Sequence, residues 1–259
     1  LSGLVGSEMC IRDRSLYKPL SHEKLRGFKN FLAFSACFIP IFIGFILPVV
    51  ELTYWALNYK LDFFNEKFIS TAWNTFYLAI IAAFFCSVLA VLINFSIRYK
   101  SNNYLKFMSS FLTVGYAVPG LILAIGVMQM LTFIDKSFVS NIPNIVFTGS
   151  IFGLVLAYII KSYALSNSTI DAGYQRINER IDDVARTLKT SGWSLLSQVH
   201  LPLLKTSFLT SMLLVVSEVI KELPATLILR PFNFDTLAVY TYIYAAEERT
   251  VSYTHLTLP

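Results

Sequence analysis

The side chains that could carry catalysis are scattered along the chain. His22, His200 and His255 are isolated, and no His, Cys and carboxylate residues share the spacing of a metal site. The sequence contains no G-x-x-x-x-G-K-S/T phosphate loop and no arrangement that indicates a hydrolytic triad. These residues predict no enzyme activity of the chain itself, no metal site and no cofactor.

One group of charges lies at the end of an apolar segment. Lys221 and Glu222 follow Glu218 by three and four residues, which places all three on one helical face and lets the lysine pair with a carboxylate. Two interpretations stay open. The charges, with Pro224, line a polar pathway or its outer gate. Alternatively the span ends near Val219, and the long side chains reach water at the outer interface.

A polar segment, residues 174–204, separates two strongly apolar stretches. Four of its residues recur at spacings of four and three and form one apolar stripe of a helix: Ile177, Ile181, Val184 and Leu188. A turn is predicted at residues 190–192, because Gly192 accepts unusual backbone angles. A second helix is predicted over residues 193–199 and ends at Leu201-Pro202, because the residue before proline avoids the helical region. This segment is either a docking element or a solvated loop that rests on its own protein.

The composition is that of a membrane protein. Only 14% of the 259 residues are charged and 55% are hydrophobic, whereas soluble domains carry about 25% charged residues. The mean hydropathy is +0.60. The net charge of +5 is typical of basic cytoplasmic loops and does not require nucleic-acid binding.

Five segments have the length of about 20 mostly apolar residues that a membrane span needs: residues 31–57, 72–97, 105–133, 145–165 and 208–229. Pro40 and Pro48 predict a kink in the first, and Pro119-Gly120 interrupts the third. The predicted fold is an all-α, polytopic helical bundle. Residues 230–235 predict a turn, and residues 237–246 form a short outer helix or approach a further span.

Basic residues orient these spans. Residues 24–29, 98–106 and 176–205 fall on one side if five spans alternate, and they carry most of the lysines and arginines. The opposite loops carry fewer. The positive-inside tendency therefore places the polar segment in the cytoplasm.

The polar segment resembles the coupling loop of permease subunits of binding-protein-dependent ABC importers. The family pattern is Glu-Ala-Ala, three residues, Gly, nine residues, Ile, any residue, Leu-Pro. The corresponding residues here are Asp183, Val184, Ala185, Lys189, Val199, Leu201 and Pro202. Val184 for Ala and Lys189 for Gly depart from the pattern, and Gly192 can supply the turn three residues later. The resemblance implies that residues 183–202 carry force. It also implies that the apolar stripe, together with Trp193, fills an ATPase groove or holds the loop to its bundle; the stripe is Ile177, Ile181, Val184 and Leu188.

Residues 221–238, KELPATLILRPFNFDTLA, resemble the corresponding segment of ferric-iron permeases, and the resemblance extends back to about Gly27. It implies an inner-membrane, multi-pass permease in contact with lipid, with five spans of a six-span module present. The module would be the carboxy-terminal half of a longer polypeptide and would lack its last helix. The implied partners are a dimer of ABC ATPase subunits, a second permease module and an extracytoplasmic substrate-binding protein.

The two ends of the chain do not fit the segments they adjoin. Residues 1–14 and 251–259 resemble translated adapter sequence and are expected to be non-native, which leaves residues 15–250 as the permease module. The alternative is a pair of ordinary, poorly ordered tails.

Two other functional classes stay open. A secondary transporter driven by an ion gradient would need charges deep in several spans, whereas the charges here gather in one segment. A membrane assembly protein without transport of its own is the other class, and co-purification with an ATPase would separate the importer from both. The substrate rests on the resemblance alone, so iron(III) competes with thiamine, a polyamine or another small solute.

Overall fold

The computed structural model describes residues 27–58, 66–100, 102–139, 146–178 and 180–246. These residues form helices and short turns, without a strand among them. The all-α prediction is therefore confirmed for the described part of the chain. The chain divides into two compact units, residues 1–62 and 63–259. The predicted non-native ends, residues 1–14 and 251–259, lie outside the described residues.

The first unit contributes one apolar helical segment. Helix α1 spans Phe28–Ile41, a π-helical turn spans Phe42–Ile46, and α2 spans Leu47–Asn58. Pro40 lies inside α1, where it removes a backbone donor just before the π-helical turn. At this proline, where a kink is predicted, the structure shows a local change of helix type.

The second unit contains nine helices in its described residues: α3 Glu66–Tyr99, α4 Asn103–Thr113, α5 Gly120–Ile134, α6 Ile151–Gln175, α7 Arg180–Thr187, α8 Trp193–Leu195, α9 Leu201–Ile220, α10 Pro224–Leu229 and α11 Leu237–Ala246. Across the described residues of both units, five segments are long and apolar enough to cross a membrane: Phe28–Tyr54, Glu66–Tyr99, Gly120–Ser137, Ile151–Gln175 and Trp193–Ile220. The predicted number of spans is confirmed, although the limits of all five differ from the predicted ones, most of all in the third and the fifth.

The third predicted span is divided. Helix α4 is followed by a 3₁₀ turn, Val114–Ala117, and the backbone is extended at Val118 before α5 begins at Gly120. Pro119 explains the break, because its ring disfavours a helical conformation of the preceding residue. Only the part from Gly120 onward has the length of a span.

The predicted helix end at Leu201-Pro202 is wrong. Helix α8 continues through a π-helical turn, Leu196–His200, directly into α9. Leu201 is right-handed helical, with φ −58° and ψ −45°, although it precedes a proline. Pro202 lies in the first turn of α9, where the altered π-helical register tolerates a missing backbone donor. The fifth span therefore begins at Trp193 and ends at Ile220, earlier than predicted at both limits.

Helices α3, α6 and α9 each contact the other two and form the centre of the second unit. Small side chains make this contact close, as expected where membrane helices pack without a hydrophobic driving force. Three buried serine hydroxyls, one from each helix, also meet there. Ser211 Oγ lies 2.9 Å from Ser87 Oγ and 2.6 Å from Ser166 Oγ. The small buried residues of α3 are Ala79, Ala82, Ala83, Cys86 and Ala90.

Candidate functional site

The polar segment between α6 and α9 forms a short helix and a tight turn. Helix α7 is eight residues long, and the side-chain oxygen of Asn178 accepts a hydrogen bond of 3.0 Å from the Arg180 amide. Asp182 and Asp183 lie in its first turn and Arg186 lies in its last. Charges in these positions complement the helix dipole.

The turn after α7 is centred on Lys189. Its amide bonds to Arg186 O at 3.0 Å, and the Thr190 amide bonds to Ala185 O at 3.0 Å. These two bonds define a Schellman motif, in which the residue after the helix adopts a left-handed conformation. Lys189 has φ +60° and occupies that position. The turn after α7 therefore lies at Lys189 itself, and Gly192, the second turn position that the sequence offers, has its own positive φ of 56° before α8.

The predicted apolar stripe divides into a buried part and an exposed part. Ile177 is 9% exposed and faces the bundle, as does Ala185, which lies outside the predicted stripe and is 6% exposed. The larger apolar side chains are open to solvent, which leaves an apolar surface on a polar loop. We call these four the exposed apolar residues of the loop: Ile181 at 37%, Val184 at 59%, Leu188 at 74% and Trp193 at 72%.

The buried side of α7 is attached to the bundle by charge. Arg98, in the last turn of α3, donates from Nε to Asp182 Oδ2 at 2.6 Å. Its Nη1 donates to Tyr174 O and Ile177 O, both at 3.0 Å, and its Nη2 donates to Asn178 O at 3.2 Å. The guanidinium thus binds carbonyls at and just beyond the carboxy-terminal end of α6, two of which also accept from the Ile177 and Ile181 amides.

His200 lies on the other side of the same carboxylate. It is fully buried and packs against the rings of Phe95 and Tyr174, with centroid distances of 5.4 and 5.5 Å. Its Nε2 lies 3.1 Å from Asp182 Oδ1, which is an ion-pair distance, and neither ring nitrogen has an aligned hydrogen bond among the described residues. Sequence reasoning missed this cluster, since Arg98 is separated by 84 residues from Asp182.

The three charged residues near the end of α9, Glu218, Lys221 and Glu222, do not form one group in the structure. Helix α9 ends at Ile220, and Lys221 pairs with Glu218 at 2.8 Å while its side chain is 67% exposed. This hydrogen bond raises the pKa of Lys221 above its ordinary value. Glu222 is buried and pairs instead with Lys161 of α6. The prediction that the three charges share one helical face is wrong, because the helix stops before Glu222.

The Lys161–Glu222 pair lies at a junction of α5, α6 and α10. Glu222 Oε1 accepts a 3.3 Å hydrogen bond from the Ala225 amide, just inside α10, which Pro224 begins. A Cβ on Gly120, at the start of α5, would lie 2.7 Å from Glu222 Oε1. A side chain at Gly120 would therefore require the Glu222 carboxylate to shift away from its present position.

Residues 87–246, more than half of the chain, match a family described as "Binding-protein-dependent transport system inner membrane component". Fe(3+)-transport system permease protein FbpB 2 of Haemophilus influenzae is 25% identical over 232 residues, which cover 87% of this chain and 43% of that protein. The chain thus spans less than half the length of this relative. PhnV of Salmonella typhimurium, named as a permease of a 2-aminoethylphosphonate transport system, is 24% identical over 186 residues, covering 70% of this chain and 67% of that protein.

Solved structures show the same fold at low sequence identity. The crystal structure of a bacterial alginate ABC transporter, in complex with a periplasmic protein bound to alginate pentasaccharide, matches with a TM-score of 0.68 and 15% identity. The match covers 85% of this chain and 84% of that chain. A second structure, of a bacterial ABC transporter involved in alginate import, gives a TM-score of 0.66 at 16% identity, with 85% of each chain covered.

The fold and the loop together define a polytopic helical membrane protein with an exposed helix–turn segment between its last two long spans. The match over residues 87–246 gives the family. The chain belongs to the binding-protein-dependent transport system inner membrane components, the permeases of ABC importers.

Proposed function

We propose that this chain is a membrane permease module of an ATP-driven importer and that residues 174–204 are its coupling loop. The observation that carries the proposal is the split of α7 into two faces. Asp182 and Ala185 are held against the bundle, whereas Ile181, Val184 and Leu188 are exposed. An apolar surface on a charged loop marks a docking site, and family membership gives an ATPase as the partner that fits.

The proposed docking surface is held in place by hydrogen bonds on both sides of α7. The Schellman motif fixes the turn at Lys189, and Arg98 ties the start of α7 to the end of α6. An ATPase that closes on ATP would therefore move α7 as a body and would not simply deform a soft loop. In this mechanism two modules tilt between inward-facing and outward-facing arrangements, which is rigid-body alternating access.

The remaining partners follow from the same assignment. We propose that the loop is cytoplasmic in the inner membrane, that ATP is hydrolysed on separate subunits, and that a second module completes the pathway. An extracytoplasmic binding protein would deliver the substrate. Basic residues near the loop, such as Arg176, Arg180 and Arg186, support the cytoplasmic side.

The charges after α9 fit two different roles. The exposed Lys221 and its partner Glu218 support the interpretation of an outer interface, at which the span ends. The buried Glu222, paired with Lys161 and followed by Pro224, supports a role inside the bundle, at the outer gate of the pathway. We propose that only the second pair belongs to the gate.

A crosslinking experiment tests the docking assignment. Ser191 is exposed in the turn, so Ser191→Cys, with the native cysteines replaced, should crosslink to the ATPase subunit in native membranes, with a yield that changes when ATP is added. The matched control is Phe232→Cys, which is also exposed but lies in the turn after α10. If the inserted protein crosslinks at neither position, the docking assignment fails and an ion-gradient-driven transporter becomes the better explanation.

The substrate is proposed to be ferric iron, supported by the relative from Haemophilus influenzae and by the segment KELPATLILRPFNFDTLA. A phosphonate is the competing substrate, since PhnV matches at nearly the same identity. Uptake of radiolabelled iron(III) and of 2-aminoethylphosphonate by cells with and without the full permease would separate them. Loss of phosphonate uptake alone, on deletion, would contradict the assignment to iron.

A further inference from the structure

Three polar side chains from three helical segments meet beneath α7. Arg98 ends α3, Asp182 begins α7, and His200 lies at the last position of the π-helical turn before α9. The two carboxylate oxygens of Asp182 face different partners. Oδ2 accepts from Arg98 at 2.6 Å, and Oδ1 lies 3.1 Å from His200 Nε2.

The two partners hold Asp182 to different degrees. Arg98 makes four hydrogen bonds, one to Asp182 and three to the carbonyls of Tyr174, Ile177 and Asn178. A guanidinium in such a fork is fixed in position. His200 is fixed by packing against Phe95 and Tyr174, but its approach to Asp182 is not aligned as a hydrogen bond.

We infer that Asp182 is the pivot of the coupling loop: it stays bound to Arg98, and its contact with His200 forms and breaks as α7 tilts. This inference rests on the proposed function, because the tilt is the work of the docked ATPase. Asp182 and Ala185 are the buried residues of α7, so displacement of the exposed face must pass through them. Since α9 continues from His200 without interruption, the His200 contact passes that displacement to the last span. Arg98, Asp182 and His200 are thus positioning residues for coupling.

Hydrogen exchange of the full permease in lipid nanodiscs, with and without the ATPase subunits, tests the pivot. Asp182→Asn keeps the shape of the side chain and removes its charge. Asp171→Asn is the matched control, because this carboxylate lies near the same end of α6 and accepts only from Gln175, at 2.8 Å, among the described residues. His200→Phe is a second test variant that keeps a ring between Phe95 and Tyr174.

The expected result separates docking of the ATPase on α7 from transmission of its motion to α9. In the wild type and in Asp171→Asn, ATPase binding should slow exchange in α7 and in residues 196–204 by at least about fivefold, the lower end of typical coupling between sites. In Asp182→Asn and His200→Phe, α7 should still be slowed, whereas residues 196–204 should not. If Asp182 and His200 only stabilised the structure, their substitution would raise exchange equally with and without the ATPase. The slowing of residues 196–204 on ATPase binding would then be unchanged.

Two outcomes would overturn the inference for different reasons. If residues 196–204 are slowed in the test variants as in the control, Asp182 and His200 do not transmit motion, although docking stands. If α7 is not slowed in the wild type, the docking proposal fails and the pivot fails with it. If Asp182→Asn does not insert into the membrane, the same comparison of exchange with and without the ATPase is made with His200→Phe.

Discussion

Lys189 occupies a backbone conformation that favours glycine, and the family pattern to which the loop is similar has glycine there. Its φ of +60° lies in the left-handed region, which costs a residue with a Cβ roughly 1–2 kcal/mol. The Schellman hydrogen bonds from Lys189 and Thr190 hold it there. The substitution therefore keeps the shape of the turn at an energetic cost and does not move it.

Lys189→Gly should stabilise the turn after α7. The gain from relieved strain is partly offset by the greater flexibility of glycine in the unfolded chain, so the net effect is a few tenths to about 1 kcal/mol. Exchange of the Thr190 amide, which bonds to Ala185 O, should slow accordingly. Thr187→Gly, placed two residues earlier in right-handed helix, should accelerate that exchange. Equal changes in the two variants would show that the left-handed strain is absent.

At the scale of elements, α7 turns Asp182 and Ala185 toward the bundle and exposes Ile181 and Val184. Val184 is 59% exposed, so Val184→Asp buries no charge in the isolated module. The variant should insert normally, bind the ATPase more weakly and lose most substrate uptake. Thr187→Asp adds the same charge on the same helix outside the exposed apolar residues and should retain uptake. Measured uptake that is unchanged in Val184→Asp would contradict docking through this face.

The Lys161–Glu222 pair should behave as a buried ion pair. Lys161→Met leaves the Glu222 carboxylate, which is 7% exposed, without its partner, and loss of one partner of such a pair typically costs about 3–5 kcal/mol. The double variant Lys161→Met, Glu222→Gln removes both charges and should recover much of that stability in denaturant unfolding. Lys221→Met, which breaks the exposed pair with Glu218, should change stability little. A double variant as unstable as the single one would argue against the pair.

The helices could be predicted from the sequence, whereas contacts between distant segments of the chain could not. The five spans follow from runs of apolar residues, and the break at Pro119 follows from local sterics. The same proline rule failed at Pro202, because a π-helical turn placed that residue where a missing donor is tolerated. His200 is isolated in the sequence, and nothing local indicates that α3 brings Arg98 to Asp182 beside it.

At the scale of the whole second unit, the polar loop of residues 174–204 and the turn of residues 230–235 lie toward opposite ends of α9. Helix α9 has 20 residues and is therefore about 30 Å long, close to the thickness of a bilayer core. Asn74 Nδ2 donates to Asp235 O at 3.4 Å, so the amino-terminal end of α3 lies beside the turn after α10. Arg98, at the opposite end of α3, lies beside the loop.

This arrangement predicts which end faces the cytoplasm. Basic residues are more numerous near the loop, where Arg176, Arg180, Arg186 and Lys189 lie, and the positive-inside tendency favours the cytoplasm for that end. In spheroplasts, a membrane-impermeant maleimide should label Phe232→Cys directly and Ser191→Cys only after permeabilisation. Both positions are exposed, so a difference in labelling reports the side of the membrane and not local burial. Labelling of Ser191→Cys from outside would invert the module, and α7 could then not reach an ATPase in the cytoplasm.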